Sequence, residues 1–206
     1  MILTLIIIFI LFFSIIIHEY AHGWVAYKLG DPTPLISKRL TLNPFVHIDL
    51  WGTILLPFLL LVITRGGFTF GYAKPIPINP YNFKEPKRDI MWVGIAGPTS
   101  NFLLALFLAQ LLKISLPLII AQAIAYGVLI NLLLGIFNLI PIPPLDGSRV
   151  LTAFLPPRVT YNYLKLELLG FFIIIFLIGS GAISWLILPV IKFILSILGV
   201  REMIEF

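Results

Sequence analysis

Along most of this chain apolar and polar residues do not alternate; apolar residues come in long runs separated by short polar, glycine- and proline-rich stretches. A helix needs about 20 apolar residues to cross the hydrocarbon of a bilayer. Runs of that order predict helices at roughly 2–27, 90–112, 116–140, 163–179 and 182–199. A sixth run, "LWGTILLPFLLLVIT" at 50–64, is shorter and carries Pro57. It is followed by "RGGFTFGYAKPIPINPYNFKEPKR", in which "FTFGY" and "IPIN" alternate in the manner of short strands. The pattern predicts an all-α polytopic membrane protein with about five transmembrane helices plus a re-entrant segment with short β-strands. No internal repeat, low-complexity tract or long linker divides it, so residues 1–206 are expected to form a single domain.

Composition fixes the solvent. The chain is 60% hydrophobic and only 11% charged, with a mean hydropathy of +1.07, which no water-facing surface can accommodate. The opening "MILTLIIIFILFFSIII" has neither a basic start nor a small-residue cleavage site, so it is expected to be retained rather than removed as a secretory signal. With no cysteine, any metal must be held by nitrogen and oxygen. The net charge of +5 does not point to nucleic acid, because the basic residues are spread between the apolar runs instead of forming one patch. Lipid is the expected partner.

Ionisable side chains are rare and costly inside such runs, yet "FFSIIIHEYAHGWVAYKLGD" (12–31) carries His18, Glu19 and His22. On a helix, residues four apart are about 6 Å apart along the axis and about 40° apart around it, so both imidazoles can reach one ion. Glu19, turned about 100° from His18, can lie beside a water on that ion. This is the H-E-x-x-H arrangement of a zinc protease, two ligands and a general base. The alternative is a pair of buried histidines bonded to backbone carbonyls; it leaves Glu19 without a cationic partner before Lys28.

A catalytic zinc usually takes three protein ligands and keeps one position open. Asp146 is the acidic residue that directly follows a span, in "NLIPIPPLDGSRV", where Pro141, Pro143 and Pro144 break the helix. It could equally cap the segment that follows. His47, in "NPFVHIDLWGT", is the rival ligand, ranked second and better suited to a structural place.

"HEYAH", "AGPTSN" (96–101) and "NLIPIPPLDG" (138–147), in that order and with "GYAKPIPINPYNF" between the first two, resemble the site-2 protease family of intramembrane zinc metalloproteases, in particular its compact members without a PDZ domain. The resemblance covers residues 15–150. It implies a zinc ion bound by His18, His22 and Asp146, Glu19 as the catalytic carboxylate, and Asn138 close to the scissile carbonyl, with one zinc per chain. It implies hydrolysis of peptide bonds in the transmembrane helix of a membrane-protein substrate. Asn101 is either a helix–helix hydrogen bond, the preferred reading, or a site residue. The other readings are a non-proteolytic zinc-binding membrane protein and a transporter, although no paired broken spans occupy corresponding halves.

Charge tests the ligand set independently. For His22 and Asp146 to meet, their helices must run the same way, so the 50–64 run must return to the face it left. That arrangement gathers Lys28, Lys38, Arg39, Arg65, Lys74, Lys84, Lys87, Arg88, Arg149, Arg158, Lys165 and Arg201 on one face and leaves only Lys113 clearly on the other. The crowded face is then the cytoplasmic side of the plasma membrane. The alternation in "FTFGYAKPIPIN" adds the expectation that an extended substrate pairs with that edge.

Overall fold

The computed structural model describes residues 2–65 and 71–204. Among the described residues three helices are long and apolar enough to cross a membrane: α1 (Ile2–Lys28), α5 (Pro86–Leu111) and α6 (Leu118–Asn138). Between α1 and α5 lie the single turns α2 (Thr33–Ile36) and α3 (Pro44–His47) and the short helix α4 (Leu56–Ile63), entered through a wide turn over Leu50–Leu55. After α6 come α7 (Asp146–Thr152), α8 (Pro157–Leu164), α9 (Glu167–Gly179) and α10 (Ala182–Ile197).

The three long helices form the centre, with α5 packed between α1 and α6. In lipid the hydrophobic effect cannot hold helices together, so small residues and polar contacts must do so. The buried face of α5 has that character, with Asp89, Val93, Gly97, Asn101, Ala105 and Ala109 recurring every four residues. On α6, Gly127 admits Leu108 and Ile10, and Gly135 lies against the ring of Phe102. The inward face of α1 is confined to its second half, Ser14, His18, His22 and Ala26. Its first half turns Ile2, Leu5, Ile8 and Phe9 outward. On the far side of α6, α10 contributes Ile187, Ile191 and Leu195 to a wholly apolar cluster with Val128 and Leu132.

Two expectations need correction. The span expected at 163–179 begins in the last turn of α8 and continues as α9, the two helices being bent by 60°. Counting that pair as one span gives up to four helices of sufficient length and apolarity among the described residues, since α10 has only 16 residues. The break has a compositional cause: "PRVTYNYL" is largely polar, so the apolar stretch starts only at Glu167 and covers 13 residues, about 20 Å of helix. α10 follows after Gly181, whose φ of +76° is readily adopted only by glycine.

The second correction concerns the strands. Residues 68–70 of "FTFGY" lie outside the described residues, and among the described residues there is no β-strand. Residues 71–79 are nevertheless extended in their hydrogen bonding, since alternate amides point the same way. Tyr72 donates to the carbonyl of Gly52 (3.0 Å), Lys74 to that of His47 (2.9 Å) and Ile76 to the carboxylate of Glu19 (3.1 Å). No ladder forms because these acceptors belong to a turn, a loop and a side chain. Pro75 and Pro77 also remove the donors on the other edge. The same bonds bring the chain back beside residues 47–53 after the 50–63 excursion, which at 14 residues reaches only about 21 Å.

Candidate metal centre

The break after α6 delivers Asp146. Of residues 139–145 three are prolines, and the other four amides are all bonded: Leu139 to Ile136, Ile140 to Phe137, Ile142 to Ile140 and Leu145 to Ile142. The interrupted backbone thus leaves no donor of its own unsatisfied, as a low-dielectric setting demands. The loop closes onto the first turn of α7 so tightly that a Cβ on Gly147 would collide with the carbonyls of Leu139 and Ile140. Tyr163 of α8 holds the loop from outside by donating its hydroxyl to the Pro141 carbonyl (2.7 Å).

α5 positions the other half of the site with four residues on one face. At Gly94 there is room for α7, since a Cβ there would sit 3.1 Å from the Asp146 carbonyl and 3.0 Å from Cβ of Arg149. At Gly97 there is room for the imidazoles; a Cβ would collide with His22 and stand 2.6 Å from His18 Nε2. Val93 offers its carbonyl to His22 Nδ1 (2.6 Å), and Asn101 offers Oδ1 to His18 Nδ1 (2.6 Å). Sequence reasoning did not find the roles of Val93, Gly94 and Gly97, because each depends on how closely a second helix approaches.

These elements bring His18, His22 and Asp146 together. His18 Nε2, His22 Nε2 and Asp146 Oδ2 form a triangle with every edge 3.0 Å, and the three residues are 6%, 3% and 6% exposed. Each imidazole spends its N–H at Nδ1, on the Val93 carbonyl or the Asn101 oxygen, so both Nε2 atoms present lone pairs to one another and to a carboxylate oxygen. Three electron-rich atoms converging in a buried place could hold a cation between them. The donor set, two neutral imidazoles and one carboxylate, is a three-ligand zinc set with one position left open. Bonds of 2.0–2.1 Å in a tetrahedron would put ligand atoms about 3.3 Å apart, close to the edges seen, so the residues fit the ion. Arg149 stands 3.7 Å from the other Asp146 oxygen.

Glu19 lies beside His18 on α1, half-buried, and its Oε2 takes the amide of Ile76. Ile76 itself fills the notch at Gly23. The extended segment therefore lies across the helix that carries the histidines. Asp146 is not a helix cap: α7 begins at Asp146 itself and has no side-chain capping bond. His47 is buried away from the cluster, with Nε2 donating to the Thr41 carbonyl (2.8 Å). Asn138 is not drawn into the cluster either, since its amide donates one turn back to Leu134 (3.0 Å). Asn101 combines both readings offered for it, bonding α6 through Asn131 (2.9 Å) and the cluster through His18. Asn131 escaped sequence reasoning; the available signal was a lone amide in the middle of an apolar run.

The sequence profile of peptidase family M50 matches residues 6–128 and 114–178. Among curated proteins, YwhC of Bacillus subtilis, which carries a provisional zinc metalloprotease name, is 37% identical over 87% of this chain and 82% of its own. Rip2 of Mycolicibacterium smegmatis, similarly named, is 26% identical over 83% of this chain and 65% of its own. A zinc metalloprotease of Methanocaldococcus jannaschii is 29% identical over 76% of this chain, which spans only 35% of that longer protein. No solved structure matches the chain.

Proposed function

Because the chain belongs to peptidase family M50, we propose that it is a zinc-dependent intramembrane endopeptidase that cleaves transmembrane segments of membrane-protein substrates. The observation that carries the reading is the convergence of two imidazole nitrogens and one carboxylate oxygen at 3.0 Å, next to a glutamate on the same helix. The named relatives add zinc and peptide-bond hydrolysis to the same reading.

His18, His22 and Asp146 would hold the ion, and zinc would supply Lewis acidity there, polarising the scissile carbonyl and making the attacking water more acidic. Glu19 takes the proton of the attacking water and passes it to the leaving amine. The Ile76 amide on Oε2 orients that carboxylate. Asn138 donates to the developing oxyanion once its amide turns away from Leu134. The site lies within the bilayer, nearer the cytoplasmic face: His18 is 16 residues, about 24 Å of helix, beyond Ile2. The 50–63 run is re-entrant, a reading supported by its length and by the bonds between residues 52–53 and Tyr72. The basic loops then face the cytoplasm of the plasma membrane.

The deciding experiment compares wild type with Glu19→Gln in detergent, measuring zinc per chain and cleavage of a panel of single-span peptides. One zinc in both proteins with cleavage only by wild type is the expected result. Equal cleavage by both would overturn the mechanism, and absence of cleavage in both would favour a zinc-binding protein without peptidase activity.

A further inference from the structure

His18 owes its Nδ1 proton to an acceptor that is itself only a side chain, and the polarity of that side chain is decided elsewhere. Asn131, in the middle of α6, is fully buried and does not touch the metal cluster. One end of its amide lies 2.9 Å from the backbone carbonyl of Gly127 and 2.9 Å from Ser14 Oγ. A backbone carbonyl can only accept, so that end is the nitrogen. The other end, an oxygen, faces Asn101 at 2.9 Å, so the atom Asn101 presents there must be its nitrogen. The same nitrogen lies 3.4 Å from the Ser14 carbonyl, a second fixed acceptor that demands the same orientation. The remaining atom of Asn101 is an oxygen 2.6 Å from His18 Nδ1, which must donate. Nδ1–H leaves Nε2 as a bare lone pair.

We propose that Asn131 and Asn101 form a polarity relay that sets the tautomer of His18, carrying the fixed direction of the α6 backbone across α5 to the metal ligand on α1. Both are positioning residues. The proposal rests on His18 being a metal ligand for its consequence, but not for its geometry. A wrong tautomer would put a proton at Nε2, where the ligand electrons are needed. His22 needs no relay, because its Nδ1 faces the Val93 carbonyl directly. The two ligands thus reach the same tautomer by different routes, one through a backbone group that cannot turn and one through two side-chain amides that can.

The test uses the full chain labelled with 15N-histidine, metal-free in detergent, at a pH where all three imidazoles are neutral. Nitrogen chemical shifts separate the tautomers. Wild type should show two Nδ1–H rings, His18 and His22, and one Nε2–H ring, His47, whose Nε2 faces the Thr41 carbonyl. Asn131→Leu keeps the volume and removes the polarity. It should convert one Nδ1–H signal to a mixture and weaken zinc binding about 10- to 100-fold, the range for outer-sphere partners of metal ligands. Asn131→Asp still presents an oxygen to Asn101 whether protonated or not, and should retain both Nδ1–H signals. A single Nδ1–H ring in wild type, which requires no variant to fold, would overturn the relay, as would an unchanged spectrum in Asn131→Leu. Two Nδ1–H rings in a wild type that takes up no zinc would refute the peptidase reading while supporting the relay.

Discussion

Asn131 and Leu132 are neighbours on α6, both fully or almost fully buried, yet they serve interfaces of opposite kinds. Asn131 faces α1 and α5 among Ser14, Asn101 and the glycines, and every polar atom of its side chain is bonded. Leu132 lies with Ile187, Ile191 and Leu195 of α10 in a cluster of buried apolar side chains. In lipid the second interface is held by van der Waals packing alone and can relax around a change of shape. The first cannot, because a polar group that loses its partner there has no water to turn to. Specific geometry in this protein is therefore concentrated on one face of α6, and substitutions on the two faces should fail in different ways.

The sharpest contrast is between Gly97→Ala and Ile191→Ala. A methyl at Gly97 collides with both imidazoles, so zinc affinity and cleavage should each fall by about 100-fold or more while the apolar cluster is untouched. Truncating Ile191, which is fully buried in the cluster that joins α10 to α6, should cost about 2–5 kcal/mol through the cavity left behind, lowering Tm by several degrees with zinc content and cleavage near normal. Isothermal zinc titration beside a thermal melt of each variant reads both effects. Zinc loss in Ile191→Ala with none in Gly97→Ala would invert the comparison.

Gly147→Ala extends the same argument to the other half of the site. The added methyl meets the carbonyls of Leu139 and Ile140, so the loop must open and carry Asp146 away from the histidines. Zinc binding should weaken by about 10- to 100-fold, a smaller loss than at Gly97 because the loop can move where α5 cannot. A variant with unaltered zinc affinity would mean that the closeness of loop and α7 does not govern the placement of Asp146.

Why parts of this arrangement were legible in the sequence follows from the same distinction. His18 and His22 reveal themselves through helical spacing within one segment, and Asp146 through a run of prolines that cannot continue a helix. Asn101 was visible as a polar residue in a span, but which helix it would bond was not. Gly94 and Gly97 are recognisable as glycines, whereas their tasks depend on the approach of α7 and of two imidazoles from α1, a matter of tertiary distance. The bend between α8 and α9 was missed for a different reason. A run judged by its apolar average hides the polar residues Tyr163, Lys165 and Glu167 at its entrance. Among the described residues "IPIN" forms no strand because alternation describes an extended backbone without supplying a partner, and the amides of residues 72, 74 and 76 found irregular ones.

Ile76→Pro probes the extended segment. It removes the amide bonded to Glu19 without touching His18, His22 or Asp146, so on the proposed mechanism zinc affinity should stay the same while kcat falls about 10-fold, a fraction of the ~100-fold or more that a general base contributes. The free edge of this segment carries Pro75 and Pro77 and offers mainly acceptors, so a substrate strand pairing there would be held by only part of a ladder. If kcat were unchanged in Ile76→Pro, neither the orientation of Glu19 nor pairing with a substrate could depend on that amide.

The smallest effect belongs to the clamp that anchors the segment. Asp31, fully buried just beyond α1, accepts bonds from the Thr33 amide and hydroxyl, the Asn79 amide and the Asn82 side chain. Burial alone would raise its carboxyl, but the hydroxyl of Thr33, the amide of Asn82 and the backbone donors outweigh that and hold it below the ordinary 3.8. A carboxyl with a lowered folded pKa stabilises the protein above its unfolded value, and the contribution disappears as pH falls through the folded one. Asp31→Asn, which keeps one acceptor oxygen, should therefore cost about 2 kcal/mol at pH 7, and the gap from wild type should close as the solution is taken below 3.8. Denaturation curves for both proteins at the two extremes test the sign: a gap that persists or widens in acid would mean that packing, and not the charge of Asp31, secures residues 79–82 to the end of α1.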